Sequence, residues 1–264
     1  MAERRLDRPL ATREGLRRDL AAIGVTPGMT LVVHSSLSSL GWVVGGAWTV
    51  VAALLDVVGD TGSLAMPAAT PHCADPANWV DPEMSDARLD QIREHLPEFD
   101  VRTTPTTMGA IAETFRTWPG TLRSDHPLES VCARGCAAAE ITNGHSLAFS
   151  EGPGSPFAKL HELDSRILLL GVGFNRCTAL HFAESLVDKR RLTTVRFPRS
   201  ESGRRTWIEV PNVADDNDTH FPIIGERFVS SGRVRRSSIG EAASVLISMR
   251  ELVDFARAYF ERVL

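Results

Sequence analysis

The stretch Ile167-Leu168-Leu169-Leu170, followed by Gly171-Val172-Gly173 and then by Thr178-Ala179-Leu180-His181-Phe182-Ala183-Glu184, decides the fold class. The apolar run predicts a buried strand, the glycines predict a turn, and the last residues predict a helix with His181 and Glu184 on one face. In open α/β folds, ligands bind beyond the carboxyl ends of the strands. Because imidazoles titrate near neutrality, this position suits His181 for acid–base catalysis. The alternative is a packed histidine in an ordinary helix ion pair with Glu184.

The composition narrows the class of protein. Hydrophobic residues make up 43% of the 264 residues and charged residues 23%, proportions typical of a globular protein with a sizeable core. A formal net charge of −4 argues against a general nucleic-acid or anionic-membrane surface. No apolar run approaches the roughly 20 residues that span a bilayer, and the first residues lack an apolar signal core. We therefore expect a cytoplasmic protein without nucleic-acid or membrane partners.

The cysteines and histidines show no metal-ligand spacing. Cys73, Cys132, Cys136 and Cys177 are scattered and lack a Cys-x-x-Cys pair, which argues against a zinc site or a disulfide framework. The eight histidines form no His-x-x-x-His or His-Glu-x-x-His cluster. We expect no metal.

Strands and helices alternate in the first third of the chain. Leu31–Val33 and Leu64–Met66 predict short buried strands on either side of a helix over Ala47–Val58, a β-α-β unit that favours parallel pairing. An irregular, acidic insertion at about 68–106 interrupts this alternation, with one short helix near Ala87–His95. Four acidic side chains lie in this insertion, namely Asp75, Asp81, Glu83 and Asp86. They would line a pocket for cations, or else be solvated loop charges.

The C-terminal half contains a predicted hairpin and a capped helix. Thr193–Phe197 and Thr206–Val210 predict two strands joined through residues 201–203. Ser248 and Glu251 form a capping box at the start of the last helix. Since no internal repeat or low-complexity linker divides the chain, we expect residues 1–264 to form a single large α/β domain.

Six motifs follow one another along the chain. They are Val33-His34-Ser35-Ser36-Leu37, Thr107-Met108-Gly109, Arg123-Ser124-Asp125-His126-Pro127, Gly154-Ser155-Pro156, Leu168-Leu169-Leu170-Gly171 and Thr178-Ala179-Leu180-His181-Phe182-Ala183-Glu184. In this order and spacing they resemble the antibiotic N-acetyltransferases that modify aminoglycosides at the 3-amino group. The likeness runs from about Arg13 to Val263. It implies an acetyl-CoA co-substrate, an aminoglycoside acceptor, and a mixed, partly parallel sheet flanked by helices.

The resemblance also implies catalytic roles. It assigns the general base to His181 and the acidic partner of that imidazole to Asp216 or Asp218, although a solvated acidic turn is the alternative for the latter two. Glu184 would bind substrate cations, hold His181, or only decorate the helix. Thr178, near the start of the helix, would stabilise the oxyanion or the leaving thiol, or else only cap the helix.

Coenzyme A needs donors for its phosphates and a close backbone approach for its pantetheine arm. The residues expected to contact it are His34, Ser35, Ser36, Leu37, Met108, Gly109, Arg123 and Ser124. The first four follow a strand, Met108 and Gly109 start a helix, and Arg123 offers a charged fork. Capping of a turn is the alternative role of Ser35 and Ser36.

Other functions compete with this interpretation. A hydrolase would use His181 with Ser36 or Cys177, but no Gly-x-Ser-x-Gly elbow is present. A related coenzyme A-dependent acyltransferase would act on a different amine. A sequestering protein would bind an aminoglycoside without modifying it. The sequence leaves the oligomeric state open between monomer and dimer.

Overall fold

The computed structural model describes residues 9–79, 84–214 and 216–264, except the Glu201 side chain, so Asp81 and Glu83 lie outside the described residues. The helices are α1 (Arg13–Ile23), α2 (Gly46–Val58), α3 (Asp86–His95), α4 (Ala110–Arg116), α5 (Ala138–Thr142), α6 (Pro156–Glu162), α7 (Ala179–Ser185), α8 (Phe221–Ser230) and α9 (Met249–Val263). The strands are β1 (Leu10–Ala11), β2 (Thr30–Ser35), β3 (Trp42–Val43), β4 (Ser63–Pro67), β5 (Leu122–Arg123), β6 (Val131–Gly135), β7 (Arg166–Leu170), β8 (Leu192–Glu201), β9 (Arg204–Val213), β10 (Val234–Ile239) and β11 (Ala242–Ser248).

Seven of these strands form one mixed sheet in the order β10-β11-β7-β2-β4-β6-β5. Strand β2 pairs in parallel with β7 on one side and with β4 on the other, whereas the outer pairs are antiparallel. Helix α2 connects β2 to β4, which confirms the predicted parallel β-α-β unit. The three parallel strands end at the same edge of the sheet, at Ser35, Pro67 and Leu170.

Helices cover both faces of the sheet. Leu31 and Val33 of β2 pack into a core cluster with α1, α2 and α4, and Val32 between them faces a second cluster with helices α5 to α9. Such strands are apolar on both faces, which explains why β2, β4 and β7 are short continuous apolar runs rather than alternating patterns. The predicted α/β class, a mixed sheet flanked by helices, is confirmed.

Strands β8 and β9 form a separate antiparallel hairpin. They turn at Ser202 and Gly203, whose φ angles of 52° and 78° are those of a tight hairpin turn. The predicted hairpin is therefore confirmed, with longer strands than the sequence indicated. A small apolar cluster that includes Phe197 of β8 and Cys73 packs beneath it.

The acidic insertion is anchored to this hairpin. Its described residues form two short 3₁₀ turns and α3, which confirms the predicted helix there. Asp75 is 3% exposed, and its carboxylate accepts hydrogen bonds from Arg93 of α3 at 2.9 Å and from Arg196 of β8 at 3.3 Å. Both predicted roles of Asp75 are therefore wrong, because its charge is used inside the fold. Within the described ranges, no helix has the length and apolar character to cross a membrane.

Candidate active site

The site lies where β7, β2 and β4 end together. The Ser36 amide donates to Leu170 O at 3.0 Å, and Ser39 Oγ donates to Gly171 O at 2.9 Å, so the segments after β2 and β7 are joined. Gly171 has a φ of 68°, and a Cβ at this position would lie 2.5 Å from the Ser39 Cβ. Only glycine allows this close approach. The predicted turn after β7 thus holds β2 and β7 in one site.

Helix α7 brings His181 to this edge. The chain leaves β7, forms a 3₁₀ turn at Phe174–Arg176 and enters α7 directly after Thr178. The His181 side chain is half-buried, and its ring centroid lies 4.7 Å from that of Phe221 at the start of α8. Gly225 of α8 allows Phe174 of the 3₁₀ turn to pack against this helix, since a Cβ at Gly225 would lie 2.3 Å from the Phe174 ring.

Thr178 lies at the N-cap position of α7, one turn before His181. Its backbone is helical, its carbonyl accepts the His181 amide at 3.0 Å, and its side chain makes no capping hydrogen bond. The Thr178 hydroxyl therefore does not cap the helix. Thr178 is half-buried.

Glu184 is buried rather than exposed on the helix. Its side chain is 0% exposed, and Oε1 lies 3.0 Å from both Nε and Nη2 of Arg191. Nη1 of the same guanidinium donates to Asp216 Oδ2 at 2.7 Å. The carboxylates of Glu184 and Asp216 thus share one arginine, so Glu184 is neither a surface decoration nor a solvent-facing cation site.

The two predicted acidic partners of His181 lie in different surroundings. Asp216 Oδ1 accepts the Thr219 amide at 3.1 Å, and hydrogen bonds from Thr219 and then Arg191 lower the pKa of Asp216 to about 2. Asp218 is exposed, and its Oδ1 accepts a bond from Asn175 at 3.1 Å. Asp215 lies outside the described residues. The acidic partner of His181 stays a prediction.

The predicted coenzyme residues of β2 lie next to the segment that follows β7. His34 is 4% exposed, burial lowers its pKa to about 4, and its Nε2 has no hydrogen-bond partner in the described part of the chain. Ser35 is half-buried, and Ser36 Oγ lies 3.0 Å from Ser38 Oγ. Ser36 precedes a 3₁₀ turn without capping it, so capping is not its role, and Leu37 packs on the core beneath.

Met108 and Gly109 are tied to the end of β4. The Thr107 amide donates to Ala69 O at 3.1 Å, and Thr106 Oγ1 bonds to the same carbonyl at 2.8 Å and accepts the Met108 amide at 3.2 Å. Gly109 has a φ of 93°, and no atom lies within 4 Å of a Cβ built there. The backbone before α4 is therefore open to a ligand.

Arg123 and Ser124 have structural roles that the sequence did not indicate. Arg123 donates to Ser130 Oγ at 2.8 Å, Thr104 O at 2.6 Å and Ala68 O at 2.9 Å. Ser124 is 0% exposed, and its Oγ bonds to His145 Nδ1 at 2.9 Å and to the Val131 amide at 2.8 Å. The Ser124 prediction is corrected, because a fully buried side chain offers the coenzyme no surface.

A buried histidine pair continues from Ser124. The rings of His126 and His145 lie 4.5 Å apart. His126 Nδ1 accepts the amides of Leu128 and Glu129 at 3.1 and 2.9 Å, so its Nε2 carries the proton and donates to Leu147 O at 3.2 Å. Burial lowers the pKa of His126 to about 4 and that of His145 to about 3. Both rings are therefore neutral near pH 7.

Two of these residues were missed at the sequence level. Arg191 belongs to the run Lys189-Arg190-Arg191, which resembles an ordinary solvated cluster. His145 is a lone histidine in a loop. Neither carried a local signal, because each acts through partners that are distant along the chain.

A cavity of about 910 Å³ lies beside the edge strand β5. Among the predicted site residues, Arg123 alone lines it. Two other lining arginines are paired with acidic side chains, Arg116 with Glu113 at 2.7 Å and Arg199 with Asp125 at 2.7 Å. The predicted coenzyme residues at the ends of β2 and β4 thus lie outside this cavity.

Cys177 does not support the hydrolase alternative. Its thiol is 0% exposed, and burial raises its pKa to about 12. A buried, protonated thiol is a poor nucleophile.

Comparison with known proteins identifies the family. The family model described as aminoglycoside 3-N-acetyltransferase matches residues 32–261. The SPbeta prophage-derived aminoglycoside N(3')-acetyltransferase-like protein YokD of Bacillus subtilis is 38% identical over 94% of this chain and 92% of its own length. Aminoglycoside N(3)-acetyltransferase VII of Streptomyces paromomycinus is 34% identical over 99% of this chain and 95% of its own.

Solved structures agree with these relatives. The crystal structure of YokD superposes with a TM-score of 0.92 at 37% identity, over 96% of this chain and 94% of that one. AAC-IIIb in a binary complex with CoASH superposes with a TM-score of 0.85 at 33% identity, over 97% of this chain and 98% of that one. AAC-VIa bound to sisomicin superposes with a TM-score of 0.86 at 28% identity, over 97% of this chain and 99% of that one. The chain therefore belongs to the aminoglycoside 3-N-acetyltransferase family.

Proposed function

We propose that this protein transfers the acetyl group of acetyl-CoA to the 3-amino group of an aminoglycoside, with His181 as the general base. The observation that carries the proposal is the position of His181, half-buried one turn after Thr178 and beyond the end of β7. The CoASH complex of AAC-IIIb supports the coenzyme, and the names of the relatives support the acceptor. Aminoglycoside resistance is the expected consequence.

The reaction joins the acceptor nitrogen to the thioester carbon. The lone pair of the amine nitrogen attacks the carbonyl carbon while His181 accepts a proton from that nitrogen. The N–C bond therefore forms without a positive charge being retained on the nitrogen. The C–S bond then breaks, and coenzyme A leaves as a thiol once that proton reaches its sulfur. Thr178 Oγ donates a hydrogen bond to the oxyanion or to the leaving sulfur. One such donor is worth on the order of 2.7–4 kcal/mol of barrier.

The ends of β2 and β4 fit a coenzyme A molecule. The Gly109 backbone is open to close approach, and the buried Nε2 of His34 lacks a protein partner in the described residues. We assign the pantetheine arm to Ser35, Ser36 and Gly109. Arg123 uses three of its five N–H groups inside the protein, so a phosphate contact would use the remaining two.

Acidic groups near His181 suit a polycationic acceptor. Asp216 stays ionised at neutral pH because its pKa is about 2, and Asp218 is exposed on the same segment. Both would attract the ammonium groups of an aminoglycoside. We place the reaction in the cytoplasm, where acetyl-CoA is available, and treat residues 1–264 as one functional domain.

Incubation with acetyl-CoA and a panel of aminoglycosides tests the function. We expect thiol release that depends on the aminoglycoside, and NMR of the product with the new acetyl group on the 3-amino nitrogen. Thiol release with other amines alone would indicate a related acyltransferase. Aminoglycoside binding by calorimetry without coenzyme A binding would indicate a sequestering protein.

A further inference from the structure

Three side chains join the catalytic helix to the acidic segment. We call Glu184, Arg191 and Asp216 the Arg191 bridge. Glu184 lies in α7 three residues after His181 and is 0% exposed, whereas Asp216 is 31% exposed. Arg191, directly before β8, lies between them with a 29% exposed side chain.

The bridge uses different nitrogens for its two partners. Nε and Nη2 of Arg191 each lie 3.0 Å from Glu184 Oε1, and Nη1 lies 2.7 Å from Asp216 Oδ2. Glu184 Oε2 has no hydrogen-bond partner among the described residues. Arg191 thus supplies the cation that compensates this buried carboxylate, and the spare N–H group holds Asp216.

Backbone contacts fix the same segment. The Ala214 amide donates to Arg191 O at 3.0 Å, directly after the last β8–β9 pair, Leu192 with Val213. At the other end, the Thr219 amide donates to Asp216 Oδ1 at 3.1 Å. The main chain and side chain of Arg191 therefore both determine how the acidic segment leaves the hairpin.

The segment continues into the packing around His181. Two residues after Thr219, α8 begins at Phe221, whose ring lies 4.7 Å from the His181 ring. Contacts therefore lead from His181 along α7 to Glu184, across Arg191 to Asp216, and through Phe221 back to His181.

We propose that Arg191 is a positioning residue for acetyl transfer, which holds the acidic segment against α7 and so fixes the surroundings of His181. This inference rests on the proposed function. Arg191 touches neither the acetyl group nor the coenzyme in this proposal. Its loss lowers turnover more than it weakens binding of acetyl-CoA, whose proposed contacts lie at the ends of β2 and β4.

Two variants of Arg191 separate positioning from folding. Arg191→Met leaves Glu184 as an uncompensated buried charge and can unfold the protein. Arg191→Lys keeps a cation beside Glu184 but replaces three nitrogens by one. In folded Arg191→Lys we expect kcat to fall about tenfold or more and the KM for acetyl-CoA to stay within about twofold. Lys189→Met, which removes an exposed charge two residues away, is the matched control with the kcat of the parent.

A double-mutant cycle with Asp216→Asn tests the route of the effect. If Arg191 acts through Asp216, Arg191→Lys/Asp216→Asn has a kcat within about twofold of the lower single variant. If the kcat losses of the two single variants multiply in the double variant, the inference is overturned. A folded Arg191→Lys with a kcat within about twofold of the parent would also overturn it.

Hydrogen exchange keeps this test independent of the proposed reaction. A parent protein that releases no thiol with any aminoglycoside refutes the proposed function alone. We expect the amides of Ala214 and Thr219 to exchange faster in Arg191→Lys than in the parent or in Lys189→Met. Unchanged exchange at both amides would overturn the positioning role, even with an inactive parent.

Discussion

The buried His126 imidazole should make the fold sensitive to acid. Burial lowers the pKa of His126 to about 4, whereas an imidazole in the unfolded chain titrates near 6.5. Below about pH 6.5 the unfolded state therefore binds more protons than the folded state. The free energy of unfolding consequently falls as the pH is lowered. This loss is complete near pH 4.

The two pKa values give the size of the effect. Between pH 7 and pH 5, His126 alone should lower the free energy of unfolding by about 2 kcal/mol. His126→Asn keeps an acceptor for the amides of Leu128 and Glu129 and removes the titrating ring. The variant should be less stable at pH 7, since it loses the bond to Leu147 O. Its loss on acidification should nevertheless be smaller than that of the parent by about 2 kcal/mol.

Urea unfolding at pH 7 and pH 5 measures this difference by linear extrapolation. His34 titrates in both proteins, whereas the charge of His126 also lowers the pKa of the neighbouring His145, so the difference between the two proteins includes the coupling of these two rings. The exposed His95 of α3 is the matched control, and His95→Asn should change with pH as the parent does. If parent and His126→Asn lose stability equally, within about 0.5 kcal/mol, the buried neutral ring is not the cause.

Two further variants test individual site residues. Thr178→Ala should lower kcat about 10² to 10³-fold with little change in acceptor KM, and Thr178→Ser should recover most of the loss; equal activity of Thr178→Ala and parent in the thiol-release assay would remove the hydroxyl from the mechanism. Arg123→Lys should cost about 2 kcal/mol of unfolding free energy, because one ammonium cannot replace bonds to Ser130, Thr104 and Ala68. Calorimetry decides the phosphate role of Arg123: weaker coenzyme A binding with unchanged aminoglycoside binding supports it, and the opposite pattern contradicts it.

Much of the fold could be predicted from local sequence patterns. The runs at Leu31–Val33 and Ile167–Leu170 gave β2 and β7, because strands buried on both faces are continuously apolar. The Ser248 cap of α9 was also visible, and its Oγ accepts the Glu251 amide at 3.5 Å. Strands β5 and β6 were missed, since a two-residue strand and a short strand after a loop leave little periodic signal.

The site was predictable only where its residues lie in one continuous motif. Thr178, His181 and Glu184 share α7 and its N-terminus, so their proximity follows from helical spacing. Arg191 bonds Asp216, 25 positions later, and Arg123 bonds Ala68, 55 positions earlier. Such pairs depend on the tertiary arrangement of β8 relative to α7 and of β5 relative to the end of β4. Sequence reasoning therefore missed the internal hydrogen bonds of Arg123 and wrongly assigned the fully buried Ser124 to the coenzyme site.

In the proposed reaction, His181 removes the proton from the 3-amino group of an aminoglycoside during acetyl transfer. The most direct measurement follows the acetyl group from ¹³C-acetyl-CoA by NMR, with the parent and His181→Ala under the same conditions. We expect the label on the 3-amino nitrogen with the parent. We also expect turnover by a folded His181→Ala, which still binds both substrates, to fall by about 10² or more. Label on the 3-amino nitrogen at a rate within about tenfold of the parent would contradict the role of His181.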